Sequence, residues 1–158
     1  MRQPITALMR TPAEVQDIHR SAARPDLPFF AAGACHVLAF AFLERYPRAG
    51  FQPRFIRPAP GCRGAHVFVS DSQLAFDAQG YVAEAELLRG HALACQQLHP
   101  GWAAEVVAIE VPLAAFCAAN NHRAPWDFPG DVWAWALAYL SSFPAPPRSV
   151  LHARSGEE

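Results

Sequence analysis

Residues 31–42, "AAGACHVLAFAF", leave the chain little freedom. From Ala34 to Leu43 nearly every position is apolar, so a helix over this run has no polar face and must be covered on all sides. Pro47 and Gly50 stop it, and the pattern predicts a helix from about Ala34 to Tyr46. A chain of 158 residues with 52% hydrophobic content can surround one such helix with one core, and hardly two. The expectation is a single domain over residues 1–143. The stretch 144–158, rich in Pro and charge, has little to bury and is expected to be loosely held.

Around that helix the chain supplies material for one mixed layer. Thr11-Pro12-Ala13-Glu14 has the form of a capping box with proline at the first helical position, predicting a helix from about Pro12 to Ala22 that "ARPDLPFF" then breaks. "FQPRFIR", "AHVFVS", "QLAFDA" and "AEVVAIEV" read as strands. "VAEAELLRGHALACQQL" reads as an amphipathic helix interrupted at Gly90. Pro112 begins a short helix through Phe116, "NNHRAPWDFPG" is a loop, and "DVWAWALAYLSSF" is a last helix. Strands that are mostly consecutive and close favour an α+β layout over parallel βαβ units.

Charge and composition remove several functions. Thirteen basic residues, all Arg, stand against 14 acidic ones with no block of like charge, so neither nucleic acid nor an anionic membrane is an expected partner. The absence of Lys excludes a Schiff-base lysine. The start lacks a secretory pattern, and no apolar run reaches the roughly 18 residues that a membrane span needs, so a cytoplasmic protein is expected. Cys35, Cys62, Cys95 and Cys117 form no C-x-x-C pair and read as free thiols.

Two features then carry chemistry. Gly33 and Ala34 let the chain turn so that Cys35 opens the buried helix, where unpaired backbone N–H groups and the helix dipole favour an anion. A thiol so placed has a lowered pKa, although most free cysteines are only small buried hydrophobes. The second feature is "HVFVSDSQLAFD", residues 66–77. A two-residue loop at Asp71-Ser72 predicts Ser70 opposite Gln73 and His66 directly opposite Asp77, with Val67–Phe76 and Val69–Leu74 on the other face. An aspartate on a histidine ring fixes its tautomer and stabilises the imidazolium that forms when the ring takes a proton.

Gly33-Ala34-Cys35 with its apolar run, "HVFV" from His66 and "AFD" ending at Asp77 together resemble the papain-like superfamily in its broad sense, including its peptidase, amidase and transglutaminase-like branches. The resemblance covers residues 30–80. It implies an antiparallel sheet packed against a helix with the cysteine at its N-terminus. It further implies Cys35 as nucleophile, His66 as general base and Asp77 as the orienting acid. The papain branch has a glutamine several residues before the cysteine, where this chain has "DLPFFAAGAC", so backbone N–H groups would have to form the oxyanion hole.

The expected activity is a thiol-dependent hydrolase or acyl transferase of narrow specificity, acting on an amide or related acyl bond of a protein or small molecule without a cofactor. A non-catalytic binding module on the same scaffold is the alternative. A metal site built from Cys35, His36, His66 and Asp77 is a further one, lacking the usual close-spaced ligand pair. His36 is expected beside the site rather than in it, because successive helical side chains diverge. Cys62, in "PAPGCRGAH", is the rival nucleophile, while Cys95 and Cys117 read as core. Trp126, Trp133 and Trp135 most simply fill the core, with Trp126 the one placed to wall a cleft.

Overall fold

The computed structural model describes residues 2–148, so most of the 144–158 tail lies outside the described residues. In chain order the elements are α1 (Pro12–Gln16), α2 (Ile18–Ala22), α3 (Asp26–Ala31), α4 (Cys35–Arg45), β1 (Gln52–Pro58), β2 (His66–Ser70), β3 (Leu74–Asp77), β4 (Gly80–Ala83), α5 (Glu84–Leu98), β5 (Ala104–Ala108), α6 (Leu113–Asn120) and α7 (Val132–Leu140). One-turn 3-10 helices at Ile5–Ala7 and Pro125–Asp127 complete them. The class is α+β. Among the described residues no helix is long and apolar enough to cross a membrane.

α4 is buried as its composition requires: Cys35, His36, Val37, Leu38, Ala39, Ala41 and Phe42 are all inside. It packs chiefly on β2 and against α7. The sheet runs β4-β3-β2-β1-β5 with every neighbouring pair antiparallel. β2 lies at its centre, and all five of its residues are buried. Phe42 joins helix to sheet, its ring 4.9 Å from that of Phe76 and 5.1 Å from that of Phe51. Each such aromatic buries a large apolar area, so this seam carries much of the folding energy.

The capping box forms as expected: the Glu14 N–H donates to Thr11 Oγ1 at 3.2 Å and the Thr11 N–H to Glu14 Oε1 at 2.8 Å. The helix it starts is shorter than expected. Asp17 leaves helical geometry at φ −122° and recaps the chain by accepting from the His19 and Arg20 N–H groups, which splits the segment into α1 and α2. "DLPFFA" forms α3 instead of breaking the chain. Its Pro28 is the third helical residue, where a missing N–H deprives no intrahelical bond. α5 runs through Gly90 without interruption. α6 continues to Asn120, where Asn121 stops it in the left-handed region at φ 54°. β4 is an additional strand; Ala78-Gln79 form a tight loop between Asp77 and Gly80, and Gly80 takes φ 95°.

The hairpin register also differs. Val69 stands opposite Phe76 and Ser70 opposite Ala75, so the loop centres on Ser72-Gln73 instead of Asp71-Ser72. The Asp71 carboxylate decides this by accepting from the Gln73 and Leu74 N–H groups, while Ser72 takes φ 82°. Val69 therefore pairs with Phe76, not Leu74. The shift is two residues, and a shift of two preserves the face of every side chain.

Candidate active site

One step along the observed register Asp77 faces Phe68, which makes His66 its diagonal neighbour instead of its direct partner. Diagonal neighbours remain within reach of long side chains. His66 Nε2 and Asp77 Oδ2 are 3.0 Å apart, with both residues nearly excluded from water. Asp77 is held on every side: Arg2 donates to Oδ2 at 2.7 Å and the Gln79 N–H to Oδ1 at 2.9 Å. Burial would raise the pKa of this carboxyl, but His66 and then Arg2 overcome it and hold it far below the usual carboxylate range. Asp77 is thus a fixed anion, and it accepts the Nε2–H of His66. The ring's Nδ1 is left free for a second partner.

The group that acts on this ring from the other side is the sulfur at the head of α4. Gly33, at φ 135°, and Ala34 as N-cap turn the chain so that Cys35 begins the helix. The Val67 N–H donates to its Sγ at 3.5 Å, which ties the thiol to the strand that carries His66. Burial alone would raise the thiol's pKa; the nearby His36 and His66 rings and their charges hold it well below its ordinary value. Conversely, burial pulls His66 down while Asp77 and Cys35 push it up to about 10. These directions favour a thiolate beside an imidazolium. Neither ring's Nδ1 has a hydrogen-bond partner among the described residues.

His36 is closer to the chemistry than its place in the helix suggested. Its Nε2 lies 2.6 Å from the Arg123 carbonyl oxygen, to which it donates. Against the pull of burial, Cys117 and Cys35 raise it to about 9. Two cationic rings therefore flank one sulfur. A third ring, His91 of α5, stacks on His66 with centroids 5.5 Å apart and hydrogen-bonds the Gly64 carbonyl oxygen at 2.7 Å. Burial first, and the His66 charge second, lower His91 to about 4, so it stays neutral.

Cys35 is 7% exposed and opens into a cavity of about 600 Å3 that His36, Cys62, Arg10, Arg63 and Arg123 also line. His66 and Asp77 line a separate cavity of about 300 Å3, and Ile5 stands between the two. The N–H groups of Cys35 and His36, in the first turn of α4, have no backbone acceptor among the described residues. Cys62, half-buried, shares the cavity, whereas Cys95 and Cys117 are core. Trp126 departs from expectation: it is 72% exposed and lines neither cavity. Trp133 and Trp135 sit at the core's margin, hydrogen-bonded to Glu44 and Asp26. Among the described residues no three His, Cys, Asp or Glu side chains converge as metal ligands.

Arg2, His91 and the three cavity arginines carried no signal in the sequence, since each reaches the site from a remote element. Comparisons with protein-family models, with curated proteins and with solved structures return no match.

Proposed function

We propose that this protein is a thiol hydrolase or acyl transferase of papain-like design, with Cys35 as nucleophile, His66 as acid and base, and Asp77 as the group that orients His66. The observation that carries this reading is the chain of contacts from Arg2 through Asp77 to His66 Nε2, which leaves Nδ1 to the sulfur at the head of α4. The thiolate attacks the acyl carbon, an S–C bond forms, and the carbonyl electron pair moves onto oxygen. The N–H groups of Cys35 and His36 receive that charge. As the tetrahedral species collapses, the C–N or C–O bond breaks and the His66 imidazolium gives its proton to the leaving group. Neutral His66 then takes a proton from water or another acceptor, which attacks the thioester and frees Cys35. The limited size of the cavity, about 600 Å3, supports a narrow substrate range over broad peptide cleavage.

One observation favours a binding module instead: the thiol and the His66–Asp77 pair open onto different cavities. Labelling separates the readings. A small acyl or amide-mimicking electrophile should form a covalent adduct at Cys35, the His66→Ala variant should label roughly 100-fold more slowly, in the range that loss of a general base produces, and unfolded casein should stay intact. Equal labelling of the variant would favour the module, and efficient casein cleavage would refute the narrow site.

A further inference from the structure

The cavity in front of Cys35 has a charge pattern that the thiol chemistry does not require. Arg10 lies directly over the start of α4: a Cβ added to Gly33 would stand 3.3 Å from Arg10 Cδ. The Arg10 guanidinium is half-buried and has no hydrogen-bond acceptor or carboxylate partner among the described residues. Arg63 reaches the same place and donates to the Arg10 carbonyl oxygen at 3.0 Å. Arg123 closes the third side, donating to the Val15 carbonyl oxygen at 2.9 Å. Arg24, nearby, is neutralised by Glu14 at 3.1 Å. The cavity's one carboxylate, Asp127, is engaged with the Ala124 N–H at 2.9 Å.

Three guanidiniums thus line one concave space beside the His36 ring, and only Asp127 and the Cys35 sulfur face them as anions, which leaves the space net positive. Arginine stays protonated, so the excess positive charge favours an anion from outside. Burial and then Arg123 lower the pKa of Arg10, as such crowding requires. The planar fork of donors suits carboxylate or phosphate oxygens. A cavity of about 600 Å3 suits a small molecule or a few residues of peptide.

We propose that this cavity is an anion-binding subsite, and that the acyl donor attacked by Cys35 carries a carboxylate or phosphate that Arg10 holds together with Arg63 and Arg123. The assignment of an acyl donor rests on the thiol-enzyme reading. The subsite itself does not.

Iodoacetate and iodoacetamide provide the test, because they differ little in size and one carries the charge. With each, the thiolate forms an S–C bond, the C–I bond breaks and iodide leaves. Relative to glutathione, Cys35 should prefer iodoacetate by about tenfold at low salt, and the preference should shrink as salt screens the cluster. The flanking imidazoliums attract the anion too, so the decisive quantity is how this ratio changes in variants. Arg10→Gln and Arg123→Gln should each cut it by roughly fivefold, an effect of the size expected for a charge-assisted contact, while Arg89→Gln, exposed on α5, should leave it unchanged. A ratio that stays within about twofold in Arg10→Gln overturns the proposal, since rings alone then account for the preference.

Binding is read independently of sulfur chemistry in the Cys35→Ser protein, by titrating succinate and inorganic phosphate and following Tm. Either anion should raise Tm, and Arg10→Gln should remove the rise. A response to succinate alone identifies a carboxylate, and one to phosphate alone a phosphate. No response to either defeats the subsite. A Cys35 inert to both alkylating reagents defeats the enzyme reading instead, and the titration then decides the subsite alone.

Discussion

Asp77 makes three contacts, and each bears on a different property of the site. Arg2 keeps it ionised, the Gln79 N–H fixes its rotamer, and His66 receives its charge. Asp77→Asn keeps the shape but removes the anion, so the His66 pKa should fall from about 10 and less imidazolium should face the sulfur at neutral pH. The expected outcome is a Cys35 alkylation rate at pH 7 lowered about tenfold, matching roughly one pKa unit of lost stabilisation. A rate unchanged in that variant would remove Asp77 from the mechanism. The sulfur makes its own prediction. Because its pKa lies well below that of an ordinary thiol, alkylation of Cys35 should hold its rate from pH 8.5 down to pH 7, while glutathione slows about tenfold or more over that span.

At the scale of elements, α4 and the turn before it set the position of the thiol. Gly33 takes φ 135°, and a methyl group there would stand 3.2 Å from Ser21 Oγ as well as 3.3 Å from Arg10 Cδ. Gly33→Ala should therefore destabilise by about 1–3 kcal/mol and slow Cys35 labelling, both read in one preparation by denaturant titration and alkylation. Gly90 is the opposite case. It lies inside α5 with helical backbone, and a Cβ there meets nothing within 4 Å. Gly90→Ala should stabilise by about 0.5–1 kcal/mol, because it removes backbone entropy from the unfolded chain without a clash. A loss of stability would mean that the helix is distorted at this residue.

Across the whole molecule the titrating groups shape stability in a defined direction. The Cys35 and His66 shifts run in opposite directions, which favours moving a proton within the pair on folding without changing the number bound. Between about pH 6.5 and 8.5 this pair therefore adds no pH dependence. His36, raised to about 9 and outside that pair, keeps a proton that the unfolded chain loses near its ordinary 6.5, so its contribution declines as pH rises from 6.5 through about 9, and above about 8.5 His66, raised to about 10, adds a decline of the same sign. Below that window His91 dominates. Its folded pKa of about 4 lies under the ordinary 6.5, so the unfolded chain binds a proton first and stability falls as pH drops from 6.5 toward 4. The slope is at most about 1.4 kcal/mol per pH unit for a single group. Asp77 adds to the loss below its ordinary 3.8. Replacing His91 with Phe should flatten the limb between pH 6.5 and 4, measured by urea midpoints at each pH.

Local pattern and parity are the two things that the sequence by itself determined. A run with no polar face had to be buried, Thr11 and Glu14 had to cap each other, and His66 and Asp77 had to share a face of the hairpin whichever even-numbered shift the loop imposed. These depend only on residues near one another along the chain. The tertiary structure decided the remainder. The hairpin register is not part of that remainder, because Asp71 sets it through bonds to N–H groups only two and three residues on. Arg2 arrives at Asp77 from 75 residues away, His91 reaches His66 from α5, and Arg10 crosses the turn at Gly33. Such contacts leave no periodic trace, because they are set by how elements pack and not by the spacing within any one of them.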